Sequence, residues 1–340
     1  MNIKSVSLSA RVVMDMHALN NEGSESNRLM TRQVGIVTPV YNENGIEGYG
    51  RHVVNAISGD MNKHIFASVF RHLAIERGLH LCEACKALDP ARMMGNADFI
   101  DFVEKNAKSA DVVIDRLLTC ALDDVCGIMI TGSGASIKRK SAVEFGWTVG
   151  LPDITRTEEF IHARHAITRL TRAKATKDSS DEEKAEAKKQ KEANTGQMIF
   201  NRPASSGVYC VVAHLDACAI GFNDASQTYI DDAERTKRLE VALLALTQTL
   251  LHPKGALTST QLPHIVELEG FVSVSESAAT APFISPLADD FIGRSADLVA
   301  MTNKLYGNNA STIYPFMGGT ELLGQFDIVL NNAVAGKYRG

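Results

Sequence analysis

Aromatic residues are scarce in this chain, 6% of 340 residues, and there is a single tryptophan. Sheet-based readers of single-stranded RNA stack bases on two aromatic-rich strands, and no such pair of strands can be found here, which excludes a conventional aromatic surface. Long apolar runs are missing as well. The opening MNIKSVSLSARVV is interrupted by Lys4 and Arg11, unlike a signal peptide, and no later stretch has the length and apolarity of a membrane span. A cytoplasmic protein with no membrane partner is the expectation. Cysteine is sparse, and six residues in a chain of this size do not make a disulfide framework. Excess positive charge is also lacking, with a net charge of -5 and a pI near 6.1. That balance argues mildly against nucleic acid, although an acidic protein can still carry one basic groove. Catalytic signatures are absent too: no G-x-S-x-G elbow, no H-E-x-x-H pair and no complete dinucleotide fingerprint occur. The glycine turn Thr131-Gly-Ser-Gly134, with its basic exit Ile137-Lys-Arg-Lys140, lacks the Lys-Ser/Thr ending of a phosphate loop.

What is present is a mixture of strand and helix patterns. Val6 to Leu19 has the partial alternation of a strand, and Asn20 to Asn27 reads as a polar loop. Tyr41 to Tyr49 reads as a glycine-rich turn. Ser58 is a plausible cap for a helix ending at Arg77, whose apolar sector is Ile65, Phe66, Val69, Phe70 and Leu73. Lys63, His64 and Arg71 fall on the opposite side, a stripe suited to phosphate or simply to solvent. Further helices are expected at 97–107, 111–119, Asp231 to Leu251 and Ala288 to Leu305. Strands are expected at Gly127 to Ile130, Val208 to Ala219, Gly270 to Ser275 and Gln325 to Leu330. Thr171 to Thr195 is nearly free of apolar anchors and carries lysines and carboxylates in near balance, the pattern of an insertion protruding from one domain. Strands and helices without regular βαβ spacing indicate an α+β fold.

Cys82-x-x-Cys85 has the spacing of half a zinc knuckle, and Cys120 with Cys126 could complete a four-sulfur structural zinc site. Partly buried reduced thiols are the plainer alternative. His162 and His165 would share a face on a helix, as metal ligands might, or be surface or packing histidines.

The run Ala18-Leu-Asn20-Asn-Glu-Gly23-Ser-Glu-Ser-Asn27-Arg28 resembles the N-terminal signature of the CRISPR-associated autoregulator (DevR-type) family. The likeness continues in Ile57-Ser-Gly59-Asp-Met-Asn-Lys63-His64, in Asp123-Asp-Val-Cys-Gly127 and in Val143-Glu-Phe-Gly-Trp147. It returns in Gln197-Met-Ile-Phe-Asn-Arg202-Pro-Ala-Ser-Ser-Gly207-Val-Tyr209, then in Gly255-Ala-Leu-Thr-Ser-Thr260-Gln261 and Pro263-His264. The resemblance implies a modified RRM-like (ferredoxin-like) palm with an inserted helical finger lobe and a protruding thumb hairpin. Residues 1–77, 123–158 and 201–340 would build the palm, 78–122 the finger and 159–200 the thumb with its charged tip. It implies a non-catalytic backbone subunit of a class 1 type I (Cascade-like) interference complex, copies of which assemble head to tail along CRISPR RNA. That guide would be presented for pairing with target DNA. Partners would then be CRISPR RNA, further copies of the chain, a small capping subunit, a large subunit and a recruited nuclease-helicase. Asn20, Asn27, Arg28, Lys63, His64, Arg71, Gln197, Met198, Arg202, Gly318 and Gly319 are the candidate RNA contacts. No cofactor would be needed for catalysis, zinc being at most structural. A metal-dependent hydrolase and a DNA-binding transcriptional regulator are the alternatives.

Overall fold

The segment Ser5–His17 alternates strictly through its first half: Val6, Leu8, Ala10 and Val12 point one way, and Ser5, Ser7, Ser9 and Arg11 the other. Such a period of two makes a strand with two different faces, and both faces are buried here, each by a different kind of cover. The structure is a computed structural model that describes residues 1–26, 28–43, 45–132, 135–164, 198–307 and 310–338. Chain order begins β1 (Asn2–Ile3), β2 (Ser5–His17), β3 (Asn21–Glu25), β4 (Arg28–Thr31), β5 (Gln33–Asn42), β6 (Gly45–Ile57) and α1 (Gly59–Glu76). A helical stretch follows: α2 (Glu83–Lys86), a 3-10 turn at Arg92–Gly95, α3 (Ala97–Lys105), α4 (Ala110–Leu117) and α5 (Ala121–Cys126). Then come β7 (Ile128–Gly132), β8 (Ala135–Arg139), β9 (Val143–Phe145), β10 (Thr148–Gly150), β11 (Arg156–Arg164) and β12 (Met198–Asp216). The chain continues through β13 (Phe222–Asn223), β14 (Thr228–Tyr229), α6 (Asp232–Leu251), β15 (His264–Ser275), α7 (Phe291–Tyr306), β16 (Ser311–Met317), α8 (Gly318–Leu330) and β17 (Val334–Ala335).

Eleven strands form one sheet whose main path is β16-β15-β2-β12-β10-β6-β5. It is mixed: β12 runs antiparallel to β2, β10 and β11, and meets β4 in parallel at Asn201 and Arg28. The apolar face of β2, with Val272 and Val274 of β15, packs against Phe66 and Phe70 of α1, Leu243 of α6 and Phe326 of α8. The serine face is covered by the segment 277–290. Ser7 donates to the Ala281 carbonyl, Ser9 to Ile284 and Arg11 to Pro286 and Ala288, all at 2.8–3.1 Å. The Ser273 hydroxyl of β15 adds a bond to Pro282 O at 2.7 Å. A strap with its own backbone to satisfy is thus seated on hydroxyls rather than on apolar side chains.

The inserted helices of residues 79–126 share the core through Phe99, Val103 and Leu117. They are tied to the sheet layer by a buried ion network. Asp124, fully buried on α5, pairs with Arg139 of β8 and, at 2.8 Å, with Arg238 of α6, and accepts Gly221 N–H at 2.9 Å.

Several sequence expectations hold: β2, α1 with its Ser58 cap, β7, the core of β12, and α6 with its Asp231 cap occupy the expected stretches. Others are corrected. Asn20 to Asn27 is not all loop, because Asn21–Glu25 pairs with β4. Of Tyr41 to Tyr49 only the reversal between Asn42 and Gly45 is a turn, and the rest belongs to the strands of a long hairpin, β5–β6. Gln325 to Leu330 is the end of helix α8, since Leu322, Phe326 and Val329 recur at helical spacing and are all buried. The charged insertion Thr171 to Thr195 lies outside the described residues.

Removing the shared anion should leave the buried Arg139 guanidinium uncompensated and strip Arg238 of one of its two carboxylates. Asp124→Ala is expected to lower stability by roughly 3–5 kcal/mol in urea unfolding. A loss below about 1 kcal/mol would show that the network does not hold the helical insertion to the sheet.

Candidate nucleic-acid interface and metal cluster

The end of β2 is a junction. Asn20 is buried there, and its Oδ1 accepts Ser58 N–H at 2.7 Å while Ser58 Oγ accepts Met61 N–H at 3.2 Å. One side chain therefore seats the capping residue that starts α1. Asn20 O accepts Arg32 N–H at 3.1 Å and the Thr31 hydroxyl at 3.2 Å. Leu19 O accepts Ala256 N–H at 2.9 Å, and a Cβ on Gly255 would lie 2.6 Å from that oxygen, so this approach requires glycine. Gln261 Nε2 donates to Pro203 O at 2.8 Å, and Arg202 Nη1 to Thr260 Oγ1 at 3.0 Å. Asn62 of α1 donates to Gly146 O at 3.2 Å and Thr148 Oγ1 at 2.9 Å. Most of the segments resembling the family signature therefore meet one another here, Asp123 to Gly127 being the exception.

Beneath the junction, Tyr209 donates to Asn55 Oδ1 at 2.9 Å and meets the edge of His17 at 4.8 Å. His17 is fully buried and its Nε2 has no partner. Burial pulls its pKa down to about 4.

The sequence-predicted RNA contacts divide into groups. Asn20 is buried and engaged internally, so it shapes the junction. Lys63 is half-buried and His64 exposed on the early turns of α1. Arg202, half-exposed, also lies over the Phe200 ring at 5.0 Å. Arg28 is exposed and donates from Nε to Glu159 at 2.7 Å, an ion pair that raises its pKa further. Arg71 is committed to the helical insertion, donating to Lys86 O at 2.9 Å, so the expected three-residue stripe reduces to Lys63 and His64. Gly318 and Gly319 open α8 beside Glu267 and Leu251. Met198 begins β12, whereas Asn27 and Gln197 lie outside the described residues.

The cysteines converge, with one change of partner. The ligand atoms of Cys82, Cys85, Cys120 and Asp123 all lie within 4.8 Å of one another. Cys126 stands apart, fully buried, and burial raises its thiol pKa. The fourth donor missed from the sequence is Asp123, which the quoted run Asp123-Asp-Val-Cys-Gly127 contained. Cys82, just before α2, Cys85 within it and Cys120 at the start of α5 are brought together by the turn of each helix. The Cys85 thiol donates to Asp123 Oδ2 at 3.2 Å, and Cys82 N–H points at Cys120 Sγ at 3.4 Å. Hydrogen bonds from Cys120 and then Cys85 hold Cys82 far below the usual thiol range, while its bonds to the same cluster raise Cys85. Asp123 is fully buried, its Oδ1 has no partner, and burial lifts it to about 6. A fully buried carboxylate with an orphan oxygen among three thiols fits a thiophilic cation. Zinc at about 2.3 Å from sulfur spaces tetrahedral ligands by roughly 3.8 Å, within reach of this cluster. Four protein donors fill a tetrahedral shell, the arrangement of a structural site. His162 lies on strand β11, stacked on Phe200 at 5.5 Å, and is not among the cluster's donors, while His165 lies outside the described residues.

The fold and this cluster define an α+β protein on a mixed sheet, with a helical insertion and a candidate structural metal site. The family model described as CRISPR-associated negative auto-regulator DevR/Csa2 matches residues 8–296, and the chain belongs to that family. It is 27% identical over 306 residues to a CRISPR-associated protein Cas7/Cst2/DevR of Methanocaldococcus jannaschii, covering 88% of this chain and 89% of that protein. Among solved structures it is similar to a chain of a CRISPR RNA-guided surveillance complex, pre-nicking, at 12% identity and a TM-score of 0.43, with 90% of each chain covered. It is also similar to Thermofilum pendens Csc2, at 11% identity and a TM-score of 0.34 over 94% of this chain and 80% of that one. No helix among the described residues is long and apolar enough to cross a membrane.

Two measurements check this geometry. Protein purified without chelator and analysed by elemental mass spectrometry is expected to hold one zinc per chain. The metal should be lost in Cys85→Ser and Asp123→Ala and kept in Cys126→Ser; loss in Cys126→Ser with retention in Asp123→Ala would reinstate a four-sulfur site. His17 has a folded pKa depressed from 6.5 to about 4, so its contribution is complete above pH 6.5 and lost as pH falls toward 4. The loss is on the order of 3 kcal/mol relative to His17→Gln in urea unfolding at pH 7 and 4.5. Equal pH dependence of the two proteins would refute it.

Proposed function

We propose that this chain is a non-catalytic CRISPR RNA-binding subunit that repeats along the guide and presents it for pairing with target DNA. The observation that carries this reading is the family match over residues 8–296. The structural features are compatible with it in a specific way. The serine face of the sheet is closed by the 277–290 strap, so the RNA track would run across the junction at the end of β2, where Lys63, His64 and Arg202 reach solvent. Backbone contacts of that kind position a strand without reading its sequence.

Under this reading residues 1–77, 123–158 and 201–340 act as the palm, 78–122 as the finger and 159–200 as the thumb. The long ladder from Arg156–Arg164 to Met198–Ser206 would form the thumb's stem. Copies join head to tail, a heterologous contact that gives an open helix. The capping, large and nuclease-helicase subunits complete a cytoplasmic assembly, and the closed donor set of the metal cluster suits a structural staple. The autoregulatory description attached to the family favours a second reading, sequence-specific binding to duplex DNA.

Binding of CRISPR RNA should weaken steeply with salt, and images should show filaments whose length follows the RNA. Lys63→Ala and Arg202→Ala should each flatten the log–log salt slope by about 0.7 for single-stranded RNA. Absence of both binding and assembly by a folded protein, or preference for one duplex DNA sequence, would count against the reading.

A further inference from the structure

The chain's only tryptophan, Trp147, is 43% exposed, and everything around it is held in place. It sits in the two-residue connection between β9 and β10. On one side Phe145 pairs with Ala213 of β12 and Gly146 N–H donates to Val212 O at 3.0 Å. A Cβ on Gly146 would lie 2.4 Å from the Val212 side chain, so this close seating requires glycine. On the other side Thr148 pairs with Ile57 of β6. Asn62 of α1 grips both neighbours, Gly146 O and Thr148 Oγ1, and Lys63 is the next residue along. The ring is therefore carried on a rigid mount but not packed into the core, an unusual use of the side chain with most area to bury.

Its companion is Arg32, whose guanidinium lies over the Trp147 ring at 5.7 Å from the centroid. Arg32 is equally well mounted: its N–H donates to Asn20 O at 3.1 Å, and its carbonyl accepts Ala56 N–H at 3.0 Å and Asn55 Nδ2 at 2.9 Å. Its Nε is buried without a partner, and its Nη1 lies 3.5 Å from Glu22. An aromatic ring on a fixed loop with a cation over it, and Lys63 following Asn62 on the adjoining helix, combine the two elements that hold a single strand: a stacking platform and positive charge along the backbone.

We propose that Trp147 and Arg32 form a stacking platform for one unpaired base of single-stranded RNA, with Lys63 placed for an adjoining phosphate. This rests on the RNA-binding reading and adds a base contact that the scarcity of aromatic residues argued against. The interaction is tolerant of sequence, because every base has a π-face. A protein partner, including a second copy of the chain, is the competing occupant.

Since the protein has one tryptophan, its emission reports this ring alone. The test titrates full-length protein with oligouridylate too short to hold two copies, and with an abasic oligomer of the same phosphate count, following emission and anisotropy of labelled RNA. Oligouridylate is expected to quench Trp147 emission and the abasic oligomer to bind without quenching. Trp147→Ala should weaken oligouridylate binding roughly five- to a hundred-fold, and Trp147→Phe should restore most of it. Urea unfolding of both variants controls for folding. RNA binding with unchanged emission and wild-type affinity in Trp147→Ala would overturn the platform and leave the RNA reading standing. Equal quenching by the abasic oligomer would overturn it too, as would a Trp147→Ala defect confined to assembly on long RNA. No binding of any RNA by folded wild type would remove the RNA reading, and the platform with it.

Discussion

Asp124 has no contact with water, and two arginines converge on it from different parts of the chain. Much else depends on this arrangement. A buried carboxylate is costly unless its lone pairs are filled, and those of Asp124 are taken by Arg139, Arg238 and Gly221 N–H. Arg139 also donates to the backbone at Phe222 O and Ala219 O, and Arg238 to Leu118 O and to the Glu234 carboxylate one turn earlier on α6. A third buried guanidinium, Arg235, donates to Ile220 O at 2.8 Å and lies 4.1 Å above Tyr229. The turn after β12 is thus held by cations from inside, and the last turn of the helical insertion is held with it. On α5 the neighbouring carboxylate of Asp123 projects about 100° away, toward the sulfur cluster. Two adjacent acids therefore connect the insertion to the sheet on one side and to its own cluster of candidate metal donors on the other.

This use of arginine separates the cation count from the charge that solvent meets. Arg139, Arg235 and Arg238 contribute to the cation count yet face no solvent, as their burial makes plain. The serines of β2 follow the same logic. Alternating Ser5, Ser7 and Ser9 would ordinarily mark a strand with one wet face. Here that face is dry and polar because a backbone strap lies on it, and hydroxyls are what an irregular strap needs to satisfy its carbonyls. A sheet surface covered in this way has no use for exposed aromatic strands, so their absence from the sequence is accounted for by the fold.

What could be read in advance follows from how local each signal is. Helix α1 was legible because Ser58 and the recurrence of Ile65, Phe66, Val69, Phe70 and Leu73 both belong to the segment itself. Helix α8 was misread, since Ile328 and Val329 favour strands and Gly324 weakens a helix, and only packing of Leu322, Phe326 and Val329 settles the matter. The length of the β5–β6 hairpin was hidden because its glycines mark both the reversal after Asn42 and an irregularity at Val40/Tyr41, while the pairing runs on, with Thr38 Oγ1 reaching His52 Nε2 at 3.0 Å across the strands. In the metal cluster three thiols were found by spacing, while Asp123 was passed over because attention to sulfur ignored a carboxylate three residues beyond Cys120. Trp147 escaped notice because nothing in the sequence says that its neighbours are pinned.

The residues that carry the family resemblance mostly hold one another. Asn20 orients Ser58, Gly255 allows Ala256 to reach Leu19, and Asn62 fastens the loop under Trp147. A protein that leaves sequence recognition to base pairing has little need of side chains matched to particular bases. It needs every copy to present its few cations and one flat surface at the same spacing, and constant spacing is a property of the loops' internal bonds. Under the proposed reading Asn20 would serve the RNA track by being buried, and Lys63 by following a residue whose own amide is occupied in positioning the strand connection next to it.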